Sequence, residues 1–431
     1  FRSLVLLLQS SAARAEPVSG PARFNKGRPD WTSQDQVLCD DLLKICVHSR
    51  TSSDRTQLAR ILQEAVSAYD KLVSVLGWPR PLFDETLGGN KALDFYLVPH
   101  MSSEVVVSAD PPRIDYPYDA ASSFVKLDPA LPSACYRPFR ITQAIARAGI
   151  YAMNAAANNA FANSVATALA RDLYPCSVAE LSAIDEEQSS PELAITSRGD
   201  RLAKASPLFP TFLQTKYGAA LSVDLLHAVF VVSAVKTPPG NALYVDEPDV
   251  FDVLRKLAKD RESSLSEMFL EYGISRAFLG NRDDGLRSYD SAGFGRYGRI
   301  RFDWAIPYQS LPRSLSPRAF TEATGAVYLW VDLRDLPKDS GLGLRVQWEE
   351  PSIYRFAVVL VGADGSELAR RVPVTLERGT SVEANVEHMD NAVGAIVVGV
   401  NVGALSKQFE FDPDEVPYTP TNCVVSLFPI H

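Results

Sequence analysis

The sequence predicts an α+β chain that ends in an all-β module, and two changes of pattern say so. Up to about residue 285, apolar residues recur at helical spacing in several long stretches, with short apolar runs of strand length between them. From about residue 300 the helical period disappears, and alternating or continuous apolar runs follow one another between turn residues. A chain of 431 residues is long enough for more than one proper core.

Taken in order, "FRSLVLLLQSSAARAEP" carries Arg2, an apolar run and an Ala13-Arg14-Ala15 stop, the pattern of the tail of a signal peptide over residues 1–15. Residues 16–36, rich in Pro, Gly, Ser and Asn, read as an exposed leader. "LLKICVHS" is a strand. "SSDRTQLARILQEAVSAYDKLVSVLG" is a helix with Ser53 as N-cap and Gly77 as its stop. "ALDFYLVP" and "SSFVKLDPAL" are strands. Residues 138–172 form two helices that break at Asn158-Asn159. Twelve of the thirty residues from 141 to 170 are Ala, which suits backbones that approach closely inside a core. Further helices are expected around 207–217, 219–234 and 247–272. Residues 37–290 therefore make one domain and 291–304 a linker, with "DWAIPYQSLPRSLSP" running on from it. Residues 305–431 make a β-sandwich whose "ADGS" is a hairpin turn.

Composition narrows the function. With 43 basic and 52 acidic residues and no Lys/Arg cluster, nucleic acid is not an expected partner. Nothing after the N-terminal run approaches the length of a spanning helix. The cysteines are Cys39, Cys46, Cys135, Cys176 and Cys423. Export permits disulfides: Cys39 and Cys46 are placed to close a small loop, and Cys135 and Cys176 to staple the ends of the helical pair. Spacing alone leaves the connectivity open, with free buried thiols as the other reading.

The order strand, helix, "LGWPRPLFDETLGGNKALDFYLVP", "SSFVKLDP", helix pair, "FPTFLQTKYG", "SLSEMF" resembles a family of secreted bacterial metallopeptidases of the zincin type, over roughly residues 37–285. The resemblance implies a zincin-like mixed α/β domain followed by the sandwich. In such families the first helix of the pair carries H-E-x-x-H, which puts two His on one face for Zn²⁺ with the Glu activating its water. A Glu on the second helix, before a run of small residues, is the third ligand. Anchoring "NSVAT" on that run puts Asn163 at the third ligand, Gln143 and Arg147 at the two histidines, and Ala144 at the catalytic Glu. No His, Glu, Asp or Cys lies anywhere from 141 to 170, so no shift of register restores the site.

Other chemistry is sparse. His48, His100, His227, His388 and His431 have no metal-like spacing, although His48 ends a strand and His100 follows one, so the two can meet in a sheet. Asp412, Asp414 and Glu415 in "FEFDPDEVPY", and "NRDDG" at 281–285, are hard-oxygen turns that suit Ca²⁺ or simply water. There is no G-x-S-x-G elbow, and "SAGFGRYG" lacks a P-loop Lys. Trp330, Trp348 and Tyr354 lie on strands as core or as a glycan platform. The leading expectation is an exported, catalytically inactive metallopeptidase-like protein, without zinc or another cofactor, that holds a peptide or protein partner in a groove at Gln143, Arg147 and Asn163. The alternatives are a surface-binding or adhesion module using the sandwich with glycan or calcium, and an enzyme with unrecognised residues.

Overall fold

This computed structural model describes residues 27–30, 36–50, 55–196, 201–218, 224–233, 248–287, 298–404 and 422–430, less positions 86, 112, 114, 117, 118, 133, 335, 338, 351 and 376–378. The chain is mixed α plus β, with eight α-helices and three sheets among the described residues.

The first sheet contains β1 (Gln36–Asp40), β2 (Ile45–Ser49), β3 (Leu93–Leu97), β4 (Val105–Ala109) and β5 (Ser123–Leu127), in the order β1-β2-β3-β5-β4. β2, β3 and β5 run parallel, and antiparallel β1 and β4 close the two edges. The parallel strands β2 and β3 are buried at every position, as strands covered on both faces must be. The crossover between them is α1 (Arg55–Tyr69). It buries Leu58, Ile61, Ala65, Ala68 and Tyr69, continues as a π-wound turn over Asp70–Val75, and ends before Gly77, whose φ of +71° suits only glycine comfortably.

After that sheet the chain forms α2 (Tyr136–Met153), which packs on it, then α3 (Asn159–Leu173), α4 (Ser177–Ser189), α5 (Leu208–Tyr217), α6 (Asp224–Ser233), α7 (Val250–Asp260) and α8 (Leu265–Ala277). The break expected between α2 and α3 is a cap: the Asn158 side chain accepts from the Phe161 amide at 3.1 Å. Every residue of α2 except Tyr136 and Pro138 is buried. Its Gly149 is required, because a Cβ there would sit 2.7 Å from the Pro79 carbonyl and 2.7 Å from Trp78 Nε1. That close approach lets the Trp78 indole donate to the Ala146 carbonyl at 3.0 Å. The single helix expected over 247–272 is two helices. Ser264 starts α8 with a capping box to Glu267, which ends α7 locally. α4 was not expected, because its apolar residues follow no helical stripe.

The last part of the chain forms two sheets. One has the order β11-β10-β13-β8-β6, from β6 (Trp304–Pro307), β8 (Ala326–Asp332), β10 (Ser352–Val361), β11 (Glu367–Arg371) and β13 (Gly394–Ala404). The other has the order β12-β9-β14-β7, from β7 (Arg313–Leu315), β9 (Gly341–Trp348), β12 (Ser381–Val386) and β14 (Cys423–Ile430). The segment "DWAIPYQSLPRSLSP" contributes β6 and β7 to the sheets and is not a plain linker. Tyr354, Phe356 and Val358 of β10 and Val327 and Leu329 of β8 face the second sheet, whose Leu344 on β9 joins the same core. The alternate residues Ala357 and Val359, with Tyr328, Ile396 and Val398, join the helical core. Tyr328 Oη donates to the Gly273 carbonyl of α8 at 2.7 Å. One core therefore runs from the first sheet through the helices into the sandwich.

Gly149→Ala is expected to destabilise the protein by about 2 kcal/mol, since the clash is with backbone and an indole held by its own hydrogen bond. Urea unfolding measures it, and an unchanged midpoint would refute the close-approach account.

Candidate functional site

The four positions that the zincin resemblance singles out lie together on α2 and α3. Arg147 Nε donates to Asn163 Oδ1 at 3.0 Å, and Arg147 Nη2 donates to Asn159 Oδ1 at 2.7 Å. The guanidinium lies over the Tyr151 ring, 4.0 Å from its centroid. Gln143 Nε2 donates to Thr167 Oγ1 at 2.6 Å and to the Leu202 carbonyl at 2.7 Å, while its Oε1 accepts from Arg140 at 3.0 Å. Ala144 is fully buried among apolar neighbours. Gln143, Arg147 and Asn163 are 0%, 2% and 6% exposed. The open groove expected at these positions is therefore not found: they form a packed interior whose polar atoms bond to one another.

The described residues form a polar cluster elsewhere, on the first sheet. The strand β3 reads "LDFYL", and its Asp94 and Tyr96 project to the same side as His48 of β2. Register pairs Cys46 with Asp94 and His48 with Tyr96. His48 Nε2 and Asp94 Oδ1 are 2.8 Å apart, and the His48 and Tyr96 rings stack at 4.8 Å. Asp84 comes from the loop after α1 and Asp110 from the end of β4. All three aspartates are buried, at 2%, 0% and 1% exposure for Asp84, Asp94 and Asp110. Gly88 is what lets the loop close over Asp94, since a Cβ there would fall 1.6 Å from Asp94 Oδ2.

Into this cluster reaches Arg28, from the segment before β1. Its Nε and Nη2 meet Asp110 Oδ1 and Oδ2 at 3.2 and 2.7 Å. Its Nη1 meets Asp84 Oδ2 at 2.6 Å, Asp94 Oδ2 at 2.8 Å and Tyr96 Oη at 3.2 Å. Tyr96 Oη passes its own proton toward Asp94 Oδ2 at 3.2 Å, and Ser122 Oγ donates to Asp110 Oδ2 at 2.9 Å. The Phe124 ring lies under the guanidinium at 4.7 Å. Burial alone would lower the Arg28 pKa, but the Asp110 hydrogen bond and the surrounding acids lift it above its ordinary value, so it stays a cation. The Asp84 carboxyl is pushed up to about 7, first by burial and then by the Asp94 charge, against the pull of Arg28. Beside Arg28 opens a pocket of about 440 Å³ whose lining includes His48, Ser49, Arg50, Tyr96 and Lys126. It lies at the carboxyl ends of the parallel strands, where open α/β sheets place ligands.

The metal question narrows here. Cys46 Sγ, His48 and Asp94 have donor atoms within 4.8 Å of one another. However, Cys46 is bonded to Cys39, directly opposite on β1, so its sulfur is no thiolate donor. The second disulfide joins Cys135 to Cys176, tying the start of α2 to the start of α4. Both pairings considered from the sequence are thus present. Cys423 is free and buried on β14, with its thiol pushed up to about 12 by burial. His100 is exposed in the turn after β3. The calcium candidates Asp412, Asp414 and Glu415 lie outside the described residues, as does His431. In "NRDDG", Asp283 and Asp284 accept from the amides of Gly285 and Leu286, as turn residues do. Trp348 and Tyr354 are core residues of the sandwich, and Trp330 packs on Phe302 at 6.0 Å. No helix among the described residues is long and apolar enough to cross a membrane.

No family model matches the chain, and no curated protein matches it. Among solved structures, it resembles the pre-peptidase C-terminal domain of a collagenase from Bacillus anthracis (TM-score 0.19, 8% identity, 31% of this chain and 99% of that one). It also resembles the CBM22-1 xylan-binding domain of Paenibacillus barcinonensis Xyn10C (TM-score 0.17, 12% identity, 27% of this chain and 71% of that one). A third is the CBM22-1 and GH10 modules of Clostridium thermocellum xylanase 10B (TM-score 0.18, 10% identity, 28% of this chain and 22% of that one). Scores this low establish no shared fold.

The raised Asp84 pKa has a defined sign. Unfolded, this carboxyl loses its proton near 3.8, and folded it keeps it to about 7. Its contribution to stability is therefore present at low pH and is lost as pH rises from about 4 to about 7. Asp84→Asn keeps an acceptor for Arg28 and cannot ionise. Its stability relative to wild type should rise across that window and level off above it, as read by urea unfolding at a series of pH values. A pH-independent difference would contradict the assignment.

Proposed function

We propose that this chain is an exported, non-hydrolytic binding protein built on a zincin-like frame, which holds a peptide or protein partner without cleaving it. The observation that supports the non-hydrolytic half of this reading is the 3.0 Å hydrogen bond from Arg147 to Asn163, and since these positions are packed, a partner would be held elsewhere on the molecule. These are two of the positions at which the resemblance puts zinc ligands, and their side chains reach a common point. One of them is a permanent cation, which opposes a divalent metal at that point. Gln143 has committed its amide to Thr167 and Leu202, and Ala144 offers no group to activate water. Two disulfides support an oxidising compartment.

Elemental mass spectrometry on protein purified without chelator or added metal should find no stoichiometric zinc, and the same preparation should leave casein uncleaved. One zinc per chain together with cleavage would overturn the reading. Arg147→Ala removes a hydrogen bond to the buried Asn163 and one to Asn159, and opens a void beside Tyr151, so it should destabilise the fold by about 3 kcal/mol in urea unfolding. A near-neutral result would mean that this polar interior is not what holds α2 to α3.

A further inference from the structure

We infer that the cluster of Asp84, Asp94, Asp110, Tyr96 and Phe124 is a receptor for an arginine side chain, and that Arg28 is its tethered occupant, standing in for the arginine of a peptide partner. This goes beyond the peptidase-frame reading, which names neither the place of binding nor the ligand chemistry. It borrows from that reading only the idea that binding is the output.

The first support is the completeness of the fit. Each of the three guanidinium nitrogens has a carboxylate acceptor: Nε and Nη2 share Asp110, and Nη1 is met by Asp84 and Asp94. Tyr96 Oη adds a further acceptor, and the flat face rests on Phe124. A lysine ammonium is a point charge and cannot span Asp110 while also reaching Asp84 and Asp94. The site is therefore selective by shape as well as by sign.

The second support is that two of the three acids are held without this particular arginine. Asp94 is fixed by β3 and by His48, and Asp110 by the Ser122 hydroxyl and, through its own amide, the Ser122 carbonyl, while Asp84 stands in the loop that Gly88 closes over Asp94 and takes a hydrogen bond from Arg28. The receptor is built by the sheet, whereas its occupant comes from outside it. Three buried carboxyl groups face one guanidinium, and among the described residues Asp84 Oδ1 has no hydrogen-bond partner although the residue is 2% exposed. An acidic chamber with acceptor capacity left over suits a cationic ligand and is a costly way to hold a leader in place.

The third support is access. The pocket of about 440 Å³ has Arg28 in its wall and continues past His48, Tyr96 and Lys126. An incoming chain has room to lie against the ends of β2 and β3 with one side chain in the place of Arg28.

The test uses the full chain carrying Arg28→Ala. The probe is a peptide of its own residues 24–31, FNKGRPDW, with two controls in which the arginine is replaced by lysine or by alanine. Calorimetry at low salt should show the variant binding the arginine peptide at least about tenfold tighter than either control. Wild type, whose pocket is filled in cis, should bind it at least about tenfold more weakly than the variant does. A folded variant that binds no peptide, or that binds the arginine and lysine peptides alike, would overturn the inference and leave Arg28 a structural staple. If Arg28→Ala does not fold alone, refolding with L-arginine amide decides the matter: recovery with arginine amide and not with lysine amide supports the receptor, and failure with both overturns it. Zinc content bears only on the peptidase-frame reading, so the two can fail separately.

Discussion

Everything else in the helical half is arranged around the burial of α2. A helix enclosed on nearly every side cannot use one polar face as its outlet to water, so its sequence must solve two problems within one helix. It must let neighbours come close, which Ala144, Ala146, Ala148 and Gly149 do. It must also satisfy three arginines from within. Arg137 forms a two-point bridge to Glu64 of α1, with both contacts at 2.7 Å. Arg140 divides its donors among Gln143, Tyr136 and the Ala203 carbonyl. Arg147 takes Asn163 and Asn159 of α3. Each guanidinium thus ties α2 to a different neighbour or to a different point on it. The orientation of these elements is fixed by hydrogen-bond geometry as well as by apolar packing, which by itself has little direction.

The same logic of two-sided burial links the halves of the molecule. The central strands β8, β10 and β13 send alternate residues to the sandwich core and to α8. Gly273 on α8 has no room for a Cβ, which would fall 2.7 Å from Val400 Cγ2, and its carbonyl receives Tyr328 Oη. These central strands are dry on both faces, whereas the second sheet keeps an exposed outer face that carries Arg345 and Glu383. The aromatics that the sequence offered as a platform are used as packing: Trp348 and Tyr354 between the sheets, and Trp330 against Phe302 and Arg282.

What the sequence made legible follows from how local each signal is. The α2–α3 break was readable because an Asn cap is a local device, and the β10–β11 hairpin because "ADGS" turns the chain by itself. The edge strands β1 and β4 and the short strands β6 and β7 exist because a neighbour pairs with them, and nothing in their own period announces it. The convergence of Gln143, Arg147 and Asn163 on one interior was accessible through helical spacing and register. Their burial was not, because it depends on Leu202 and other residues far along the chain. The acidic cluster draws on Arg28, Asp84, Asp94 and Asp110, separated by as many as 82 positions. Its one sequence signal was a charged residue in the middle of the otherwise apolar strand "LDFYL", a position that a buried strand gives to Asp only when something pays for it.

Two buried arginines, Arg147 and Arg28, meet opposite surroundings, and the difference separates scaffold from site. Arg147 is bonded to neutral amides and lies on the Tyr151 face, and it is carried by the most enclosed helix of the fold. Removing it requires α2 itself to move, so no external group can compete for its place. Arg28 is bonded to three carboxyl groups, of which Asp94 and Asp110 are held by the first sheet and its neighbours and Asp84 by the loop after α1, and it is carried by a segment that lies before the first strand. A guanidinium delivered by another chain would meet the same acceptors at the same distances, and the fold would have only the segment around Arg28 to release. Exchange at Arg28 thus exchanges like for like, a contest set by the effective concentration of the tethered residue. By that reasoning an exchangeable arginine belongs on the acidic end of the first sheet, away from the enclosed pair α2 and α3.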